Sequence, residues 1–325
     1  MRRGSPRGVG IGIDVGGTFT KIVAMSGDGA LLGEIQVETL PGLGPAAFVR
    51  RVSDAARGME RSLGSRACAL GLGLAGEMDA RRGALRSAPN LKPFVGFGFK
   101  AAFQARLGLY TAADNDANMA AWGVYVLELG RRYPDVVCIT LGTGIGGGLV
   151  LGGELYRGPW GVAGEIGHIC VEPDGELCRC GSRGCLEAYA SAYGILRLVR
   201  KMTRLPGRRS ALRRLCSDPR SLDVRAVALA ARQGDPAARA ALAVAGRYLG
   251  IGIANLGYIL TPHVVVLAGG VSGSGSLILD PALRVLRSKP FQGPLRHVRI
   301  RIARIPHLGA RGAALLALGL KQCRR

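Results

Sequence analysis

The sequence has few aromatic residues and few lysines. Aromatic residues make up 5% of the 325 residues, and six lysines stand among 44 basic residues in a chain of net charge +22. Nucleic-acid-binding surfaces combine basic patches with aromatic side chains, whereas the arginines here are spread along the whole chain. We therefore do not expect nucleic acid as the main partner. We expect the charge to favour smaller anions such as nucleotides.

Two further absences concern location. The chain has no run of about 18 apolar residues, so we expect no membrane span. Its basic first eight residues lack the apolar segment of a secretory signal. Three of the eight cysteines lie within eight residues and follow a histidine, while the others are scattered: Cys68, Cys138, Cys170, Cys216 and Cys323. This spacing favours a metal site in a reduced, cytoplasmic protein over a set of disulfides.

Two segments share one pattern, in which three short apolar runs alternate with glycine turns. The runs cover 9–13, 21–25 and 31–37 in the first segment, and 136–141, 148–151 and 155–156 in the second. Each pattern predicts an antiparallel meander of three strands. The recurrence predicts an internal duplication. Two such units would place two glycine turns on opposite sides of one nucleotide.

The first glycine turn covers residues 16–18 and directly follows the run that ends at Asp14. Small residues in a turn let backbone N–H groups approach a phosphate. Asp14 is placed to act on a hydrated Mg2+ ion, which usually takes few protein carboxylates. We therefore predict that this turn binds phosphate.

The second glycine turn begins at Gly142 and allows another interpretation. Residues 142–147 match the G-x-G-x-x-G pattern of dinucleotide-binding enzymes. That pattern requires a helix after the glycines, whereas the residues that follow predict a strand. An NAD-linked oxidoreductase is therefore a lesser alternative, and a nucleotide-binding assay would decide it.

The rest of the chain alternates between strands and helices, which predicts an α/β fold. Helices are predicted at 45–63, 101–107, 117–129, 190–203, 222–234, 236–259 and 309–320, and further strands at 69–75, 109–113, 264–268 and 298–305. The polar residues 114–118 follow a strand and begin a helix, where open α/β sheets place ligands.

Four side chains of the central segment have the spacing of a metal site. They are one imidazole and three thiols: His168, Cys178, Cys180 and Cys185. Zinc takes four nitrogen and sulfur ligands in a tetrahedron, so a site filled by these four is structural. Cys170 remains a competing ligand.

Three carboxylates are candidates for substrate contacts. Glu165 and Glu187 flank the cysteine cluster, and carboxylates accept hydrogen bonds from sugar hydroxyls. A zinc-held His168 would donate its other ring N–H towards a substrate. Asp116 is our choice for a general base in phosphoryl transfer, and Asp114 is its rival on composition alone.

Together these motifs resemble the ROK family of bacterial sugar kinases, within the hexokinase/actin/Hsp70 superfamily. The matching segments span nearly the whole chain in family order: IDVGGTFTK (13–21), APN (88–90), NDAN (115–118), LGTGIGGG (141–148), AGEIGH (163–168), CRCGSRGCLE (178–187) and LAGGVS (267–272). The resemblance implies a two-domain actin-like ATPase (ribonuclease-H-like) fold with a cleft that closes on sugar. We place a smaller α/β domain at 1–115, completed by 309–325, and a larger α/β domain with the zinc knuckle at 116–308.

The resemblance also implies an activity. We expect an ATP-dependent hexose kinase that transfers the γ-phosphate of ATP to the 6-hydroxyl of glucose, with Mg2+ and structural Zn2+ and as a dimer or tetramer. Asp116 would be the catalytic base. The implied sugar ligands are Asn90, Asn115, Asp116, Glu165, His168 and Glu187. The implied nucleotide ligands are Asp14, Gly16, Gly17, Thr18, Lys21, Gly142, Thr143, Gly144, Gly269, Gly270 and Gly309.

Several alternatives stay open within this resemblance. An N-acetylhexosamine kinase acting on GlcNAc or ManNAc differs only in room for the acetamido group, and polyphosphate is a possible donor. Glu77-Met78 and the segment 94–99, which lacks a tryptophan, depart from the family pattern and leave the sugar open. A non-catalytic sugar sensor or DNA-binding regulator would carry a helix-turn-helix before the nucleotide motif. That motif starts at Ile13, so we do not expect one.

Overall fold

A computed structural model describes residues 8–204, 210–212 and 222–322 of the protein. Nearly all of the basic first segment, and Cys216 and Cys323, lie outside the described residues. The first of two five-stranded sheets contains β1 (Val9–Val15), β2 (Phe19–Ser26), β3 (Leu31–Glu38), β4 (Ala67–Leu74) and β7 (Tyr110–Asn115), in the order β3-β2-β1-β4-β7. The first three strands form the predicted antiparallel meander, and β4 and β7 continue the sheet in parallel.

The second five-stranded sheet repeats this arrangement. It contains β8 (Val136–Leu141), β9 (Ile145–Leu151), β10 (Glu154–Tyr156), β11 (Val264–Ala268) and β12 (Arg299–Ile302), in the order β10-β9-β8-β11-β12. A short hairpin of β5 (Glu77–Asp79) and β6 (Ala84–Ser87) stands apart from both sheets. The matching strand orders confirm the predicted duplication. Because strand β9 begins at Ile145, where that pattern requires a helix, the dinucleotide-binding interpretation is wrong.

The helices follow the periodic segments of the sequence. Among the described residues they are α1 (Pro45–Leu63), α2 (Phe99–Leu107), α3 (Asp116–Gly123), α4 (Glu187–Ala190), α5 (Ala192–Thr203), α6 (Val224–Arg232), α7 (Pro236–Leu260), α8 (Ser276–Ser288) and α9 (Leu308–Gln322). The helix predicted at 190–203 begins two residues later, as α5, because Ser191 caps it, its hydroxyl accepting the N–H of Gly194 at 3.2 Å.

The helix predicted to run to residue 129 changes its hydrogen bonding after α3. A π-helical turn covers Val124–Glu128, and the N–H of Leu129 donates to the carbonyl of Val124 at 3.0 Å. Such turns widen a helix locally.

The described residues divide into two compact units. The first contains residues up to Pro134, Gly148–Gly164 and the segment from Arg304, and the second contains Asp135–Gly147 and Glu165–Ala303. The domain boundaries expected from the sequence, at 115 and 308, stay a prediction.

The first unit packs helices on both faces of its sheet. On one face, α1 and α2 enclose four buried phenylalanine rings: Phe48, Phe94, Phe99 and Phe103. The ring centroids of Phe94 and Phe99 are 5.2 Å apart. The segment 94–99, which departs from the family pattern, therefore supplies core side chains in this protein.

The other face of this sheet approaches α9 through glycines. A Cβ at Gly71 in β4 would lie 1.9 Å from the carbonyl oxygen of Ala313, and one at Gly12 would lie 1.9 Å from that of Ala310. Side chains at these positions would push the helix away. The alternating glycines of β1 and β4 thus set the distance between the sheet and α9.

We expect Gly71→Ala to destabilise the protein. Overpacking against backbone costs roughly 1–3 kcal/mol and occasionally more, which lowers Tm by about 2–4 °C per kcal/mol in a domain of this size. Gly319→Ala, in α9 with nothing within 4 Å of the added Cβ, is the control and should raise Tm slightly because alanine favours helix. Equal Tm values for Gly71→Ala and wild type would contradict the close approach.

The second unit is built around the long helix α7. Its apolar side chains are mostly buried, and the neighbouring strand β11 is buried at all five positions. Among the described residues α7 is also the helix that is long and apolar enough to cross a membrane, and 61% of its most apolar window is buried inside the fold. These features are those of a core helix.

Candidate functional site

Asp14 stands near the end of β1, next to the first glycine turn. It pairs across the ladder with Lys21 of β2. A Cβ at Gly309 would lie 2.8 Å from its Oδ2 atom, so the carboxylate faces the first turn of α9. Helix N-termini favour negative charge. Three of the predicted nucleotide ligands, Asp14, Lys21 and Gly309, are thus close together in the first unit.

Burial raises the pKa of the Asp14 carboxyl group from 3.8 to about 7, and the nearby carboxylate of Asp116 acts in the same direction. The ammonium group of Lys21 lowers this pKa by a smaller amount. Asp14 and Asp116 are therefore neighbouring carboxylates in a poorly solvated place. This is the donor chemistry that a hydrated Mg2+ ion requires, since it binds through one or two carboxylates.

The raised pKa makes a prediction about stability in the absence of Mg2+ and nucleotide. Because the folded state holds a proton that the unfolded chain releases, unfolding becomes easier as the pH rises from about 4 to about 7. The difference between the two pKa values corresponds to at most roughly 4 kcal/mol of the free energy of unfolding. Asp14→Asn should therefore match the wild-type Tm near pH 4 and exceed it above pH 7. Parallel Tm curves for the two proteins between pH 4 and 8 would contradict the raised pKa.

The first glycine turn is held by hydrogen bonds to the neighbouring strand. The N–H of Gly16 donates to the carbonyl of Phe19 at 3.1 Å, and the hydroxyl of Thr39 donates to the carbonyl of Gly16 at 2.7 Å. A Cβ at Gly17 would lie 3.1 Å from the Cβ of Asn90. Asn90, a predicted sugar ligand, therefore lies directly against the turn. Thr18, at its tip, is exposed.

Asp116 is the first residue of α3, directly after β7. Burial raises the pKa of its carboxyl group, while the N–H of Ala117, which donates to Oδ1 at 3.0 Å, lowers it. Its neighbour Asn115 is the helix cap. The amide oxygen of Asn115 accepts the N–H groups of Ala117 at 2.8 Å and Asn118 at 3.3 Å, and its Nδ2 donates to the carbonyl of Gly76 at 2.9 Å.

Asp114, the rival of Asp116, has a different environment. It is 2% exposed and forms an ion pair with Arg157, whose Nε lies 2.5 Å from its Oδ2. Its Oδ1 accepts hydrogen bonds from the N–H of Asn115 and from Nδ2 of Asn118. The three donors leave this carboxylate fully engaged. Arg157 was missed in the sequence because it stands 43 residues from its partner.

The second glycine turn lies against Glu187 in the second unit. The N–H of Gly142 donates to the carbonyl of Gly144 at 2.9 Å, and Oε2 of Glu187 accepts the N–H of Ile145 at 2.8 Å. A Cβ at Gly144 would lie 2.4 Å from that same oxygen. Thr143 is at the exposed tip of the turn. The carboxylate of Glu187 thus fixes the entry to β9.

Gly269 and Gly270 follow the buried strand β11. Gly269 has a φ of 89°, which favours glycine, and its Cβ would lie 2.5 Å from the carbonyl oxygen of Leu141. Gly270 begins a short 3-10 helix, Gly270–Ser274. Gly269 therefore lies against the end of β8, which leads into the second glycine turn.

Glu165 and His168 bracket a short 3-10 helix, Ile166–His168, and both are exposed. The N–H of His168 donates to the carbonyl of Glu165 at 3.0 Å. A Cβ at Gly167 would lie 2.2 Å from the carbonyl oxygen of Ile145. This close contact sets the helix against the same end of β9 whose N–H group, on Ile145, donates to Glu187.

The four predicted metal ligands come together in the second unit. One ligand atom from each of His168, Cys178, Cys180 and Cys185 lies within 4.8 Å of the others. The sulfurs of Cys180 and Cys185 are 3.7 Å apart, and the sulfur of Cys178 is 3.9 Å from Nδ1 of His168. Ligands about 2.0–2.3 Å from a tetrahedral zinc are separated by roughly 3.5–3.8 Å, so this donor set fits zinc. Within the described residues, this group does not include Cys170.

Similarity to known proteins agrees with this arrangement. A family model described as "ROK family" matches residues 10–319. The glucokinase of Streptomyces coelicolor is 37% identical over 84% of this chain and 86% of its own length. The N-acetylmannosamine kinase of Escherichia coli strain 55989 is 36% identical over 66% of each chain.

A solved structure gives the same result. The ROK family glucokinase of Streptomyces griseus, in complex with glucose and AMPPNP, superposes with a TM-score of 0.83 and 36% identity, over 95% of this chain and 99% of that one. The fold is therefore the α/β fold of the actin-like ATPases. The chain belongs to the ROK family.

Proposed function

We propose that the protein is an ATP-dependent glucokinase, which transfers the γ-phosphate of ATP to the 6-hydroxyl of glucose. The observation that carries the proposal is the similarity, at 36% identity over 95% of the chain, to a glucokinase bound to glucose and AMPPNP. The carboxylate of Asp116, at the start of α3, supplies the base that such a reaction needs.

The proposed chemistry uses Asp116 as general base. Its carboxylate accepts the proton of the sugar hydroxyl as the bond between that oxygen and the γ-phosphorus forms. The bond from the γ-phosphorus to the bridging oxygen breaks, and ADP leaves. A base whose pKa is raised by burial has a greater tendency to accept a proton near neutral pH. Phosphoryl transfer otherwise depends on positioning and charge neutralisation.

We assign phosphate binding to the two glycine turns and to Lys21. Asp14 would hold Mg2+ through its water shell, and this ion neutralises phosphate charge when bound. Gly269, Gly270 and Gly309 would lie near the rest of the nucleotide.

We assign sugar binding to Asn90, Asn115, Glu165, His168 and Glu187. An amide NH2 group carries two donors, and the bond to Gly76 uses one of those of Asn115. The second donor would reach a sugar hydroxyl. If Nδ1 of His168 binds zinc, Nε2–H would donate to another hydroxyl.

We also propose that His168, Cys178, Cys180 and Cys185 hold one structural zinc ion. The thiol spacing supports this assignment. With four protein ligands the ion has no open position for catalysis, so it stabilises the loop that precedes Glu187.

The second candidate is an N-acetylmannosamine or N-acetylglucosamine kinase. The identity of 36% to an N-acetylmannosamine kinase favours it, although over a shorter segment than the glucokinases. Glu77, a departure from the family pattern, lies 3.7 Å from Arg86 on the β5–β6 hairpin. The ion pair with Arg86 explains why a charged residue stands at position 77, so a contact between Glu77 and a sugar is not needed to explain it.

The test is an ADP-release assay with ATP and Mg2+. It would compare glucose, mannose, fructose, GlcNAc and ManNAc with a blank without sugar. We expect kcat/KM for glucose to exceed the others by at least about tenfold, which is roughly 1.4 kcal/mol. Preference for an N-acetyl sugar would support the second candidate. A folded, zinc-containing protein without sugar-dependent turnover would instead support a sugar sensor.

Two other expectations remain predictions: the cytoplasmic location and the dimeric or tetrameric state. Polyphosphate as donor would produce glucose 6-phosphate without ADP, so direct measurement of the sugar phosphate distinguishes it.

A further inference from the structure

The Asp114 carboxylate is buried beside one positively charged partner in the part of the chain that the structure describes. It is 2% exposed, and burying a charge is costly unless the charge is paired and hydrogen-bonded. Arg157 provides the positive charge, with Nε 2.5 Å from Oδ2. On the other oxygen, the N–H of Asn115 lies at 2.8 Å and Nδ2 of Asn118 at 2.9 Å.

These contacts determine the backbone on either side of Asp116. Asp114 fixes the peptide N–H of Asn115, and Asn115 in turn caps α3 and binds the carbonyl of Gly76. Asn118, two residues after Asp116, is held by Asp114 from the other side. The turn that carries the Asp116 side chain is therefore fastened at both ends to one carboxylate.

Arg157 is itself held in place. Its Nη1 donates to the carbonyl of Leu155 in β10 at 3.2 Å. Its own carbonyl accepts the N–H of Ala163 at 3.0 Å, which closes the loop 157–163. The guanidinium group therefore links Asp114 to β10 and to this loop.

We propose that Arg157 and Asp114 are a pair of positioning residues that orient Asp116 for proton transfer. The inference rests on the proposed function, in which Asp116 is the general base. Without Arg157, a buried carboxylate would lack its countercharge, and the turn from Asn115 to Asn118 would relax. A displacement of about 1 Å at a reacting group can reduce the rate by roughly 100-fold.

The test is a double-mutant cycle in the full-length protein. The variants are Arg157→Gln, Asp114→Asn, the combination of both, and the conservative Arg157→Lys. The matched control is Arg106→Gln, which removes an exposed arginine that lies 2.8 Å from Asp54. kcat and KM would be expressed per ATP-binding site counted by calorimetry, so that misfolded protein does not affect the result.

We expect Arg157→Gln to lower kcat by at least about tenfold while KM for ATP changes by less than about twofold, because the loss is in the transition state. The double variant should be no slower than the slower single variant, since the two residues act as one unit. Arg157→Lys should recover at least about a third of the wild-type kcat, and Arg106→Gln should equal wild type.

Two results would overturn the inference. One is a kcat for Arg157→Gln within about threefold of wild type, and the other is a double variant whose loss is the product of the single losses. If Arg157→Gln does not fold, Asp114→Asn is judged by the same limit on kcat. Wild type and Asp116→Ala are included in the same assay. Absence of sugar-dependent turnover in wild type would refute the proposed function, whereas normal wild-type turnover with an unaffected pair refutes this inference alone.

Discussion

Asp116→Ala is expected to lower kcat for glucose phosphorylation by about 10²–10⁴-fold, the usual effect of losing a general base. The change removes the group that accepts the hydroxyl proton but leaves the capping interactions of Asn115 in place. KM for ATP should therefore stay close to the wild-type value. Burial raises the pKa of Asp116, so kcat of the wild type should fall as the pH decreases through that raised pKa.

Two further variants make the experiment specific. Asp116→Asn keeps the size of the side chain and should lose as much activity as alanine, because an amide does not accept the proton. Asp54→Asn, which neutralises an exposed carboxylate on α1, should keep wild-type kcat. The assignment would be abandoned if folded, zinc-loaded Asp116→Ala kept more than about a tenth of the wild-type kcat.

The fold could be predicted from the sequence because its signals are local. The meander that contains Asp14 and the one that contains Gly142 are each coded by apolar runs of strand length and by glycine turns. Because this pattern occurs twice, the sequence predicts two similar sheets without information on which strands pair. Parallel strands β4 and β11 could not be paired in this way, because their partners are distant in sequence.

The chemical groups of the site were also visible, but their environments were not. The cysteine spacing predicted a cluster that contains His168, and the structure brings these ligand atoms together. In contrast, the choice between Asp114 and Asp116 depends on Arg157, which is 43 residues away. Likewise the raised pKa of Asp14 depends on Asp116 and on burial, which the sequence does not specify.

Glycines give a second example of a distant cause. The alternation of glycines in β4 was recognisable in the sequence, yet glycine within a strand has several explanations. The reason at Gly71 is the backbone of Ala313 in α9, more than 200 residues later in the chain. Such a contact forms only when distant segments pack together, so the sequence pattern indicates that the glycine matters but does not indicate its partner.

Loss of the metal ligands is the second large effect that we expect. Cys178→Ser and Cys185→Ser should each abolish stoichiometric zinc binding, because both thiols are buried members of the cluster. Glu187 follows Cys185 closely, and its Oε1 lies 3.8 Å from the sulfur of Cys178. The loop that these ligands hold therefore leads directly into the carboxylate that binds Ile145.

The consequences should appear in stability and in sugar binding. A loss of about 4 kcal/mol, the scale of removing a structural metal from a domain with its own core, lowers Tm by roughly 8–16 °C in a protein of this size. KM for glucose should rise more than KM for ATP, because Glu187 and His168 are proposed sugar ligands. Zinc content would be measured by mass spectrometry and Tm by calorimetry.

Cys170→Ser is the matched control for these variants. Cys170 is exposed and pairs by backbone with Cys185, so it shares the loop without belonging to the ligand group. It should keep one zinc ion per chain and the wild-type Tm. If Cys170→Ser lost zinc while Cys180→Ser kept it, Cys170 would be the fourth ligand. If every variant kept wild-type stability and sugar affinity, the cluster would have no role in holding Glu187, whatever metal it binds.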